Sequence, residues 1–236
     1  MKLTRWLALA LCTLACTAAR AYQIFFCYDE FGLPTDGAGF LSLVPVVCFA
    51  LFVLLAFRVK DKGSSMAERF RFEGTLALFC GVLGAFALVA AAVLLVLGGA
   101  IPVTMLLAAF LAVSGACVFY VLVCLRKGRA FPGIAAGFPA AYLAVQLVFT
   151  YRDCAKDPVL MNFYLELLAL AALAWAFVQL CAFAFRGGSA RGYLTFSMLS
   201  VALSAAAAVT AATLFWMLLL GGFAFVQLAF LLAWKD

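Results

Sequence analysis

Two ionisable residues, Arg20 and Glu166, lie inside long apolar runs of this chain, and they are where its chemistry would first be sought. A charge within a lipid-soluble segment is costly, so such residues face protein or water and mark ion paths, proton relays or ligand sites. Counted inward from the nearer ends of their runs, each lies about seven or eight residues deep, or roughly 10 to 12 Å at 1.5 Å per residue. A cation and an anion at one depth are expected to pair, tying the first run to the sixth. Asn162 precedes Glu166 by one helical turn on the same face, and Gln146 in the fifth run lies near Asn162 in depth. A polar pocket open to one side could therefore gather all four. The plainer reading of the same cluster is structural. A buried ion pair with amide neighbours fixes helix packing, and removing one partner strands the other at a cost of about 3 to 5 kcal/mol.

Other chemistry is thin. The chain has no histidine, the side chain most used as a neutral-pH acid or base and the commonest metal ligand. Of nine cysteines, Cys12, Cys16, Cys48, Cys80, Cys117, Cys124 and Cys181 fall within apolar runs, where a thiol behaves as a small hydrophobe. None makes a metal-ligand spacing of the two-residue-gap kind, so no metal and no cofactor is expected. Cys27 and Cys154 lie at connectors assigned to one side; a disulfide could join them, two free thiols being the simpler alternative. The chain holds no phosphate-binding loop, dinucleotide fingerprint, nucleophile elbow or metalloprotease helix. An enzyme is the least favoured class, and no catalytic residue is assigned.

The elements that must position Arg20 and Glu166 are membrane spans. With 69% hydrophobic residues, 11% charged and a mean hydropathy of +1.20, the chain carries more apolar surface than a soluble domain could cover. Eight runs near the 20-residue crossing length, at 6–26, 39–57, 75–97, 101–125, 131–150, 159–185, 193–209 and 214–234, use most of its 236 residues. The expected fold is thus an all-α polytopic bundle in one integral membrane domain. The last pair is divided by a turn near 210–213, because a turn at Gly221 and Gly222 would leave a final segment too short to cross.

Lys and Arg occupy alternate connectors. Lys2 and Arg5, the segment 58–73, Arg126, Lys127 and Arg129, and Arg186 and Arg191 are basic, whereas the intervening connectors are acidic, balanced or uncharged. Positive-inside bias puts both termini in the cytoplasm, with the plasma membrane as the expected location. The basic residues orient spans, so no nucleic-acid partner is expected despite a net charge of +6. Residues 1–21 also fit a cleavable signal peptide. An uncleaved span is preferred, since 22–26 extend the run to a crossing length. Ser65 with Glu68, Asp157 with Pro158, and Asp36 with Gly37 read as local helix and turn signals.

The halves 1–125 and 131–236 share an order of connectors that hints at a parallel repeat of four spans, a construction found in some transporters. Gln179 and Gln227 are expected to make interhelical hydrogen bonds. Ala108, Ala112 and Ala116, Gly81 and Ala85, and Ser204 and Ala208 form small-residue stripes for close helix approach. Two functions follow. One is a small-solute or ion transporter, with the substrate unassigned, although the spans lack obvious breaks. The other is a non-catalytic membrane protein that acts by packing in the lipid bilayer against another membrane protein or a second copy of itself.

Overall fold

The computed structural model describes residues 3–28, 38–59, 69–70, 72, 74–98, 101–128, 133–155, 163–185 and 187–235. Asn162 and the local signals at 36–37, 65–68 and 157–158 lie outside them. Helix dominates because nearly every run is apolar on all sides, a pattern that suits a buried or lipid-facing helix. The helices are α1 (Leu3–Phe26), the single turn α2 (Ala38–Leu41), α3 (Val44–Phe57), α4 (Thr75–Gly98), α5 (Pro102–Arg126), α6 (Gly133–Cys154), α7 (Tyr164–Ala184), α8 (Ala190–Val209) and α9 (Leu214–Leu232). Taking α2 and α3 together, eight helices among the described residues are long and apolar enough to cross a membrane.

Local chemistry sets several ends. Pro45 and Pro102 stand in the first turns of α3 and α5, where a missing N–H costs nothing. The Ser189 hydroxyl accepts from the Gly192 N–H at 3.2 Å to cap α8, and the Thr213 hydroxyl accepts from the Trp216 N–H at 3.4 Å to cap α9. After α5 the chain reverses through Gly128 at φ 61°, a left-handed conformation that glycine adopts without strain. The turn dividing the last two helices falls at 210–213, as the sequence implies, and Gly221 and Gly222 lie inside α9.

Helices α4 to α9 close a ring: each packs on the next, and α9 returns to α4. Helix α8 is also the floor on which α1 and α3 pack from outside the ring. The halves therefore pack differently, since α1 and α3 lean on α8 whereas α6 and α7 form part of the ring.

Ring closure depends on small residues. A Cβ placed on Gly84 of α4 would meet the Gly222 carbonyl oxygen of α9 at 2.6 Å, and one on Gly81 would meet the Leu122 side chain of α5 at 2.6 Å. The anticipated stripes are only partly right. Ala108 is buried but Ala116 is exposed, and Gly115, not Ala116, faces the Ala85 carbonyl oxygen. Four-residue spacing finds a stripe without fixing which neighbour it faces.

The two ends of the bundle differ. At one end the chain tail meets the segment before α4: the Lys235 N–H donates to the Arg69 carbonyl at 2.8 Å, and Phe70 bridges Trp234. There Arg191 Nε also donates to the Val59 carbonyl at 3.0 Å, and Cys181 Sγ donates to the Gly133 carbonyl at 3.3 Å. Among the described residues this basic end carries Arg5, Arg58, Arg69, Arg126, Lys127, Arg191 and Lys235, and no acidic side chain. Among the described residues the far end carries Arg20, Arg152, Asp153 and Glu166.

Candidate functional site

The far end of the ring opens into a cavity of ≈ 560 Å3 between α5, α6, α7 and α9. Gln146 and Thr150 of α6, Thr104 of α5 and Glu166 of α7 supply its polar wall; Phe149, Phe163 and Trp216 supply its aromatic wall. Helical spacing aligns the α6 groups, because residues four apart share a face. Tyr142 Oη donates to Gln146 Oε1 at 3.2 Å, and Gln146 Nε2 donates to Thr150 Oγ1 at 3.4 Å. This chain of hydrogen bonds leads from the cavity into the core, where Tyr142 is wholly buried.

Glu166 stands in the first turn of α7, so it lies nearer the helix end than the sequence count placed it. A carboxylate there is favoured by the helix dipole. Its side chain is half-buried in the cavity wall. Among the described residues it makes no hydrogen bond, and it is not part of the Arg152–Asp153 ion pair at 3.9 Å.

Arg20 occupies a different place. Its guanidinium lies 5.7 Å from the centre of the Tyr164 ring, and Nη1 donates to the Tyr28 hydroxyl at 3.3 Å. Tyr164 also donates to Gln23 Oε1 of α1 at 3.1 Å. Tyr164 and Glu166 are two residues apart on α7 and so point about 200° apart around the helix. Arg20 therefore lies on the α1 side and Glu166 on the cavity side. The two do not approach within the 4 Å of an ion pair. Tyr164 and Tyr28 contact the cation that Glu166 was expected to pair with, and an aromatic ring near a span's outer end is the signal that could have pointed to them. Of the four expected residues, Gln146 and Glu166 share the cavity, Arg20 does not line it, and Asn162 is not among the described residues. Cys27 and Cys154 are buried thiols, and no disulfide joins them.

The known proteins offer no guide. This chain matches no family model, no curated protein and no solved structure.

A second polar group lies on the other side of the core. Gln227 of α9 accepts at Oε1 from Ser197 Oγ at 2.9 Å and from the Tyr193 hydroxyl at 3.4 Å, both on α8, and all three residues are fully buried. This is the interhelical bond expected of Gln227. Gln179 instead accepts from the Ser189 N–H at 3.3 Å and so holds the α7–α8 connector. Phe223 stands one turn from Gln227 on α9. Its ring stacks on Tyr142 with centroids 6.3 Å apart and meets Phe177 edge-on at 5.6 Å. At the basic end Phe70 seals the second group, with edge contacts to Phe183, Tyr193, Phe230 and Trp234 at 5.2 to 5.9 Å.

The sequence also gave no sign of one thiol contact. Cys16 of α1 and Cys48 of α3 face each other at 3.7 Å, which makes them part of the α1–α3 seam.

Proposed function

We propose that this chain is a multi-pass plasma-membrane protein with its basic end in the cytoplasm, and that it moves a small solute across the bilayer. The alternation of basic connectors supports the orientation. Transport rests chiefly on the cavity at the far end, which is lined by a half-buried carboxylate and an amide within a largely apolar bundle. A protein that worked only by packing would have no need for that cost. In this reading the solute enters from outside, meets Gln146 and Glu166, and is stopped by Phe223. The hydroxyls and amide at Tyr193, Ser197 and Gln227 form the inner half of the path, closed by Phe70. Purified protein in sealed liposomes should give saturable solute flux that Glu166→Gln and Gln146→Leu both reduce. Flux no greater than that of empty liposomes for all small-solute classes would overturn the proposal.

A second reading has its own support. A groove of ≈ 590 Å3 between α4, α8 and α9 is floored by small residues, among them Ala87, Ala205, Ala208 and Gly221. Such a surface suits a helix packing from the bilayer. Ala208→Leu should leave flux intact if transport is the function and abolish assembly if packing is.

A further inference from the structure

We propose, building on the transport reading above, that the cavity selects a small organic cation whose ammonium group sits between Glu166 and the aromatic wall. Three observations point there. Glu166 faces the cavity with no hydrogen bond and no ion pair closer than 4 Å among the described residues, so its oxygens are open to a donor. A half-buried carboxylate in that position gains most from a cation that brings its own charge. The formal charge of the described lining is negative, because Arg152 offsets Asp153 and leaves Glu166 over.

The wall also already holds a cation of the protein's own. The Arg152 guanidinium stands 5.2 Å from the centre of the Phe149 ring, at the cavity rim. Trp216 and Phe163 offer further rings in the same cavity, and aromatic faces attract ammonium groups, tryptophan most strongly. An anionic solute would meet Glu166 with no compensating donor of its own, while a neutral one would leave the carboxylate unpaired. Arg20 stands over the Tyr164 ring, away from the cavity, and does not line it beside Glu166. Gln146, Thr150 and Thr104 would take hydroxyl or carbonyl groups on the rest of the solute.

The test compares choline with 3,3-dimethylbutan-1-ol, its neutral carbon isostere, by calorimetric titration of the whole purified chain in detergent. Tetramethylammonium and phenethylammonium, with neutral counterparts, extend the panel. Ammonium probes should bind at least about tenfold more tightly than their neutral partners, a preference of the size expected for a paired charge on an aromatic wall. Glu166→Gln should erase that preference, and Trp216→Leu should reduce it. The comparison within the unsubstituted protein stands even where a variant fails to fold. Equal binding of both members of each pair, or no ammonium binding at millimolar concentration, would overturn the assignment. Efflux of choline from liposomes separates this from the transport reading. Binding without flux would leave the ligand class standing and defeat transport, whereas flux of neutral solutes without ammonium preference would do the reverse.

Discussion

The backbone of α4 at Gly84 meets the backbone of α9 at Gly222 so closely that a Cβ on Gly84 would lie 2.6 Å from the Gly222 carbonyl oxygen. This contact closes the six-helix ring. Because the obstacle is backbone, it cannot move aside as a side chain would. Gly84→Ala should therefore lower stability by about 1 to 3 kcal/mol, the usual cost of overpacking. Gly221→Ala, whose Cβ would meet nothing within 4 Å, should leave it unchanged. Thermal unfolding of the purified variants distinguishes the two.

Arg20 and Glu166 should behave as separate groups. Arg20 is buried against Tyr28 and Tyr164, so Arg20→Leu should cost about 1 to 3 kcal/mol from the lost hydrogen bond and cation–π contact. Glu166 has no such contact, and Glu166→Gln should fall within about 0.5 kcal/mol of the parent. A double-mutant cycle measured by chemical unfolding should give a small coupling. A coupling of several kcal/mol would show instead that the two pair directly.

Much of the fold was legible in the sequence because it rests on composition. Lipid-length apolar runs and the turn at 210–213 follow from length and hydropathy, which need no knowledge of partners. The far-end site was only half legible. Gln146 and Glu166 stood out as polar groups in apolar runs, but the direction each faces depends on helix packing that a single run does not encode. Arg20 was misassigned for that reason: depth gave its level but not its azimuth, and nothing in a single run turns Tyr28 or Tyr164 toward it. Gly84 and Gly222 were hidden similarly, since only the crossing of α4 with α9 makes those two glycines differ from Gly221.

Phe223 should act as both core and barrier. It is fully buried between Tyr142 and Phe177, so Phe223→Ala should cost about 3 to 5 kcal/mol through the cavity it leaves. The opening would also join the two polar groups. A small impermeant thiol reagent applied at the far end should then reach Gln227→Cys, which it should not reach when Phe223 is intact.

The aromatic seal at the basic end gives a parallel expectation. Phe70 is 2% exposed and touches four other rings, so Phe70→Ala should destabilise by about 3 to 5 kcal/mol. In membranes opened to reagent from the basic end, Ser197→Cys should be modified faster when Phe70 is absent. Unchanged modification would mean that Phe70 packs there without sealing the inner group.

The central claim is that water reaches Glu166 from the face opposite the basic end. The direct test is labelling of intact cells with a membrane-impermeant maleimide, using Glu166→Cys in a chain whose nine native cysteines have been replaced. Ala212→Cys, on the exposed turn between α8 and α9, reports the far end that the proposal puts outside; Ser197→Cys, in the buried second polar group, reports the core. Labelling of Glu166→Cys and Ala212→Cys with protection of Ser197→Cys is the predicted result. Labelling of Ala212→Cys alone would show a dry position at Glu166 and contradict the outward cavity.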